Sequence, residues 1–364
     1  MNKKNLILFM PTIEIGGVEK NFIIISNFLA SKFDRLSVIT TSNNKKNKFS
    51  KKINFISQSK INLSNYSRRF KFLVGLLILA KEIIKNNNNV VLCFQANIYC
   101  IYLCKLFRTK VIVRSNSSPE GWSKNFLKKL IYKHAFSIAD KIIVNSLEFK
   151  NQIKKKFNVK SLCIYNPLNK NEIINLSKKK INISFFKKNC LNFINVARLE
   201  DQKDHMTLLN AFSRLKNIIN FRLLIIGDGK NKKNIKKFIK ENKLINEVKI
   251  LKNIDNPFPY IRKSNIFILS SLYEGLPNVL LEAITLNKYV ISSDCPTGPK
   301  EILNYGKGGT LFKTGDSVDL SKKIKKIKFD KKNIFNKIKY SSKQLYRFDK
   351  KKNLNKYFNL VNKV

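Results

Sequence analysis

Short hydrophobic runs alternate along this chain with longer stretches whose apolar residues recur at helical spacing. The first run, residues 5–10, leads through a Pro/Gly-containing loop into a periodic helix that reaches about residue 31. Further runs lie at 36–41, 53–57, 90–94, 110–113, 141–145 and 162–165, with a longer amphipathic stretch at 70–85. The second half repeats the rhythm at 191–196, 221–226, 248–251, 266–269, 289–293 and 309–312. Apolar runs of this length, bounded by turn residues and separated by helices, predict parallel strands in doubly wound α/β sheets. Residues 169–188 lack the rhythm and are rich in lysine, which predicts a linker between a domain at 1–168 and one at 189–340. The last residues, 341–364, predict a helix that packs back on the first domain.

The most informative stretch is 265–282, NIFILSSLYEGLPNVLLE. A strand ends at Ser270 and Ser271, a loop carries Glu274, Gly275 and Pro277, and a helix follows with Glu282 about one and a half turns in. One carboxylate then sits at a strand's carboxyl end and a second on the next helix. In an open α/β sheet that edge binds ligands. The backbone N–H groups of Asn278, Val279 and Leu280, at the helix start, make an anion site between the two acids. Two acids flanking an anion site suit hydroxyl groups held beside a phosphate. A plain strand-to-helix turn with a surface Glu fits the same spacing equally well.

Other loops sit at equivalent places. After the 191–196 strand come Arg198 and Lys203, two cations beside a helix start that can clamp a diphosphate. Gly16 and Gly17 precede the first helix, where backbone can approach a phosphate closely. A Gly-Gly pair alone is weak evidence, and two cations among 72 carry weight only through their position. Ile254 lies in the loop after the 248–251 strand, where backbone groups can hold a base. Arg114, Asn116 and the sole tryptophan, Trp122, lie in a polar loop after the 110–113 strand. Gly227-Asp-Gly229 reads as a tight turn with a structural role.

Composition narrows the classes. Lys and Arg number 72 against 23 acids, a net charge of +49, and the basic residues are mostly lysine. Much of that charge reads as compositional bias toward Lys, Asn and Ile, yet the field favours anionic partners. Six cysteines without a CxxC pair and two histidines argue against a zinc site and for reduced thiols. The apolar run after Lys3 and Lys4 is too short for a signal sequence, and none is long enough to span a bilayer.

Taken together, these residues make the chain resemble retaining glycosyltransferases of the GT-B fold, family 4 (glycosyl transferases group 1), of the bacterial envelope-polysaccharide type. The resemblance spans nearly the whole length. Its most specific part is residues 254–303: the Asn-Pro-Phe-Pro-Tyr260 run, Glu274 and Glu282 with Gly-Leu-Pro-Asn between them, and the Asp294-Cys-Pro-Thr-Gly-Pro-Lys-Glu301 segment. It implies two Rossmann-like domains facing across a cleft, the first on the acceptor side and the second binding a nucleotide-sugar. It implies that Arg198 and Lys203 hold the donor diphosphate, with Gly16, Gly17 and the amides near Val279 and Leu280. Glu282 would bind ribose, Glu274 the transferred sugar and Ile254 the base, while Arg114, Asn116 and Trp122 fall on the acceptor side. Relatives often carry a histidine where this chain has Arg114-Ser-Asn116, so the donor-sugar contact from that domain stays open.

The expected reaction moves a hexose or N-acetylhexosamine from a nucleotide-sugar, UDP-linked, to a saccharide or polyprenyl-diphosphate-linked acceptor of lipopolysaccharide, capsule or O-antigen synthesis. No cofactor or metal is expected, and no Asp-x-Asp occurs. The expected location is cytoplasmic, peripheral at an anionic membrane surface, with no nucleic-acid partner. Replacing Arg198 or Lys203 by Ala is expected to lower turnover and leave the fold intact. Two other classes fit parts of the pattern: a sugar-nucleotide epimerase of the same architecture, which interconverts free donor, and a basic nucleic-acid-binding protein, which would bind in a salt-sensitive way.

Overall fold

Ile, Leu and Val dominate the apolar runs, and such residues form strands where both faces of a sheet are covered. In the computed structural model, which describes residues 5–13, 16–43, 45–57, 63, 66–86, 88–116, 119, 125–252, 254–327 and 330–364, these runs build two parallel sheets. The chain divides into two units, residues 1–167 with 348–364, and residues 168–347.

The first unit alternates β1 (Asn5–Phe9), α1 (Gly17–Leu29), β2 (Arg35–Ile39), β3 (Asn54–Ile56), α2 (Arg68–Ile84), β4 (Asn89–Cys93), α3 (Asn97–Leu106), β5 (Lys110–Arg114), α4 (Phe126–Ile138), β6 (Lys141–Val144), α5 (Leu147–Phe157) and β7 (Leu162–Cys163). Its strands are ordered β3-β2-β1-β4-β5-β6-β7, all parallel. Buried side chains of α2 to α5 (Leu79, Cys100, Phe136, Phe149) pack together on one core. A second core gathers Phe22 and Ile25 of α1 with Leu8 and Leu92.

The second unit runs through α6 (Lys170–Ser177), β8 (Leu191–Val196), α7 (His205–Leu215), β9 (Phe221–Ile226), α8 (Lys232–Glu241), β10 (Val248–Leu251), α9 (Phe258–Lys263), β11 (Ile266–Leu269), α10 (Asn278–Thr285), β12 (Tyr289–Ser293), α11 (Pro299–Ile302), β13 (Thr310–Phe312), α12 (Ser317–Ile327) and α13 (Lys331–Gln344). The strand order is β10-β9-β8-β11-β12-β13, again parallel. The order reverses between β8 and β11, so the loops leaving these two neighbours open at the sheet's switch point. The last helix, α14 (Lys350–Asn362), returns to the first unit, where Leu354, Tyr357 and Val361 complete the core around α1.

Residues 169–188 are not a bare linker. They hold α6, capped by the Asn169 side chain and packed on α9 and α10, with Ile173 and Ser177 buried one turn apart. The high lysine content hid a two-residue stripe. The return to the first unit also begins later than 341: α13 belongs to the second unit, and the crossing falls at Phe348. Arg347 closes that side, donating to the carbonyls of Glu301 and Ile302 at 3.1 and 3.2 Å.

A candidate anion and sugar site at the second sheet's switch point

The loops after β8 and β11 are tied to each other. Leu272 N–H donates to the Gln202 carbonyl at 2.8 Å, and the Gln202 amide donates to the Tyr273 carbonyl at 2.8 Å. The Ser270 hydroxyl donates to the Lys203 carbonyl at 2.9 Å. These bonds bring Lys203 to Glu274, with Nζ 2.5 Å from Oε1. Both side chains are mostly buried, at 15% and 8% exposure. The Ser271 hydroxyl donates to the same carboxylate oxygen at 2.6 Å, and the Ser293 hydroxyl holds the Ser271 carbonyl at 2.6 Å.

A third loop supports Glu274 from β12. Its N–H donates to the Pro296 carbonyl at 2.9 Å, and the Thr297 hydroxyl donates to the carbonyls of Glu274 and Gly275 at 2.7 and 3.1 Å. Gly298 adopts φ +86, and a Cβ there would lie 2.3 Å from the Gly275 carbonyl oxygen. Only glycine permits both the left-handed backbone and this approach. Helix α10 starts directly behind, with Pro277 at its N-cap position and no side-chain cap. The Leu280 N–H is already bonded to the Pro277 carbonyl at 3.1 Å. It therefore drops out of the expected trio of amides. Glu282 is buried on α10.

Arg198 differs from Lys203. It is exposed, and its guanidinium has no side-chain partner among the described residues. Its backbone is fixed from the turn after β9: Leu199 N–H donates to the Asp228 carbonyl and Asn231 N–H to the Leu199 carbonyl, both at 2.9 Å. A Cβ on Gly227 would lie 1.9 Å from the Ala197 oxygen, so that turn does more than reverse the chain. It sets where Arg198 emerges. Ile254 follows the edge strand β10, two strands away from β8, and is half-buried.

Sequence reading missed His205. It opens α7, is buried, and its Nε2 lies 3.1 Å from Asn195 Oδ1. The Asn195 amide donates to the Ile268 carbonyl of β11 at 2.9 Å, which turns Oδ1 toward the imidazole and makes Nε2 the protonated nitrogen. Nδ1 is buried without a partner among the described residues. Burial and, secondarily, the Lys203 charge push the His205 pKa down to about 4. Asn195 thus links β8 to β11, and the neutral imidazole at the start of α7 holds its side chain in that orientation. The signal for His205 in the sequence was only its position, two residues after Lys203.

In the first unit, Gly16 is an exposed, extended N-cap residue and Gly17 opens α1, after β1 and beside the β1–β4 reversal. Arg114 departs from its expected acceptor-side role. It is fully buried, donating through Nε to Tyr357 Oη at 2.8 Å, through Nη2 to Asn166 Oδ1 at 2.6 Å and through Nη1 to Asn116 Oδ1, beneath the Phe94 ring. It ties the tip of β5 to α14 and to the chain's exit from the unit. Asn116, half-buried, orients it and donates to the Phe94 carbonyl at 2.8 Å. Trp122 lies outside the described residues.

The site thus joins an exposed cation, an ion-paired lysine and carboxylate, helix-start amides and a second buried acid at one sheet edge. Residues 177–344 match the family model of glycosyl transferases group 1. A Methanocaldococcus jannaschii protein described as an uncharacterized glycosyltransferase is 35% identical over 240 residues, 58% of this chain and 59% of the relative. The Campylobacter jejuni N-acetylgalactosamine-N,N'-diacetylbacillosaminyl-diphospho-undecaprenol 4-alpha-N-acetylgalactosaminyltransferase is 25% identical over 338 residues, 89% of this chain and 90% of that one. In fold, the chain is similar to Anabaena Alr3699/HepE solved with UDP-glucose, with a TM-score of 0.79, 16% identity and coverage of 99% and 100%. Two Rossmann-like α/β units of this kind are the GT-B architecture.

Proposed function

We propose that the protein is a retaining glycosyltransferase of family 4 that moves a hexose or N-acetylhexosamine from a UDP-sugar to a polyprenyl-diphosphate-linked saccharide in envelope-polysaccharide synthesis. The observation that carries this reading is the Lys203–Glu274 pair at the β8–β11 switch point, beside Arg198 and the start of α10. The Campylobacter relative, named for an undecaprenol-linked acceptor, supports the acceptor class, and the UDP-glucose complex of the Anabaena neighbour supports the nucleotide.

In this reading Arg198 and Lys203 bind the diphosphate, and the Asn278 and Val279 amides add oriented donors. Glu282 receives ribose hydroxyls, and backbone around Ile254 holds the base. Glu274 accepts hydrogen bonds from the transferred sugar, and donor binding draws Lys203 from the carboxylate toward phosphate. The bond between the anomeric carbon and the phosphate oxygen breaks, and a bond to the acceptor oxygen forms on the same face. The acceptor proton passes to an oxygen of the departing diphosphate. Charge stabilisation by cations and amides at that oxygen supplies the main rate enhancement. No metal is assigned a role, in keeping with a donor set of cations and amides for the diphosphate.

A donor panel tests the proposal. Purified protein is incubated with UDP-, GDP- and ADP-sugars and undecaprenyl-diphosphate-linked saccharides, and products are read by mass spectrometry. The expected product is an acceptor one sugar heavier, with α-anomeric configuration from an α-linked donor. Interconversion of free donor without transfer identifies an epimerase instead.

A further inference from the structure

More than half of the large apolar side chains exposed among the described residues fall between Tyr66 and Ile131. They are not scattered. Helices α2, α3 and α4 lie side by side on one face of the first sheet, their inner residues sharing one core. Their outer faces are also apolar. On α2, Leu73, Leu77 and Ile84 are exposed at spacings of four and seven, which is one stripe. On α3, Tyr99 and Leu106, seven apart, form another, with Leu106 at 77% exposure. On α4, Phe126 and Leu127 are exposed at 73% and 72%, and Leu130 and Ile131 continue them one turn on. Tyr102 and His134 bridge α3 and α4, with Oη 3.0 Å from Nδ1, so the two stripes are continuous.

The charges of this face have one sign. Arg68, Arg69, Lys71 and Lys81 flank the α2 stripe, and Lys128, Lys129 and Lys133 interleave with the apolar residues of α4. The one acid in the three helices, Glu82, is buried and paired with Lys85 at 2.9 Å. A second copy of this chain would bring the same positive face and be repelled. Base stacking needs aromatic platforms, whereas six of the eight exposed large apolar residues on α2 and α4 are Leu or Ile. A surface that is apolar and cationic, without acids, complements a bilayer with anionic headgroups.

We infer that the outer face of α2, α3 and α4 docks on an anionic lipid bilayer, with Phe126, Leu127 and Leu106 entering the headgroup region and the α4 lysines meeting lipid phosphates. Among the described residues no helix is long and apolar enough to cross a membrane, so the contact is interfacial. The inference deepens the polyprenyl-acceptor reading and rests on it for its biological use.

The test is flotation of the full chain with vesicles of phosphatidylcholine alone or with about 30% phosphatidylglycerol, at low and at 0.5 M salt. Wild type is expected to float with the anionic vesicles and to keep part of that binding at 0.5 M salt. Phe126→Ser with Leu127→Ser is expected to lower partitioning at least about tenfold, and Lys128→Glu with Lys129→Glu to abolish the preference for phosphatidylglycerol. Ile245→Ser, an exposed apolar residue of the second unit, is expected to change nothing. Equal flotation of the Phe126/Leu127 variant, or binding wholly removed by salt, overturns the inference in favour of unspecific adsorption of a +49 protein. A dimer in sedimentation that the same variant dissolves, without vesicle binding, overturns it in favour of self-association. UDP-sugar hydrolysis, measured without vesicles, is expected to stay at the wild-type level in this variant. That readout separates failure of the docking face from failure of the donor site.

Discussion

Arg198 and Lys203 are both cations of one loop, yet the structure gives them different stakes. Lys203 neutralises a buried carboxylate. Lys203→Ala leaves Glu274 charged, buried and short of a partner, a loss of about 3–5 kcal/mol of stability by the usual cost of half a buried pair. Arg198→Ala removes an exposed group without a side-chain partner among the described residues and is expected to change stability by no more than about 0.5 kcal/mol. Turnover is expected to fall about 100-fold or more in both. Denaturant unfolding beside kcat checks the contrast, which replaces the simpler expectation that both substitutions leave the fold intact. His205 carries a second prediction at this scale. Its folded pKa, near 4, lies below its unfolded value near 6.5, so the unfolded chain takes up the proton first as pH falls. Stability is then lost between pH 6.5 and 4, by up to ~3 kcal/mol. His205→Gln is expected to flatten that slope in denaturant melts at pH 6.5 to 5, and an unchanged slope assigns it to other groups. Position and residue type put Lys203 and Glu274 on loops of one sheet edge, but did not reveal their pairing. Arg114 was misread because its partner, Tyr357, lies 243 residues away, a relation no local pattern encodes.

At the scale of elements, the strands were legible because buried parallel strands are near-continuous apolar runs, and each expected run holds a strand at or within a few residues of its limits. What local pattern missed was marked by weak or masked stripes. Helix α6 buries a short stripe among lysines, and α13 and α14 carry similar basic sequences yet belong to different units. Turns were legible as turns but not as supports. Gly298 holds the loop after β12 against the Glu274 loop, with backbone 2.3 Å from an added Cβ. Gly298→Ala is expected to cost about 1–3 kcal/mol through the forced φ and the clash. It is also expected to lower turnover more than an equally destabilising change in the first unit's core. Paired Tm and kcat measurements on both variants check this.

For the whole molecule, the +49 charge is carried mostly by exposed lysines that no acid opposes, since acids number only 23. Such a field raises encounter rates with diphosphates and anionic surfaces without specifying either. Specificity has to come from placed groups, and the placed groups sit where β8 and β11 part. The central claim is that this edge binds a nucleotide diphosphate. Titration calorimetry of UDP into wild type and Arg198→Ala at 0.15 M salt tests it most directly. The account predicts saturable one-to-one binding that weakens at least about tenfold in the variant, with an unchanged melting temperature. Equal affinity in the two proteins, or no saturable binding by wild type, would contradict it.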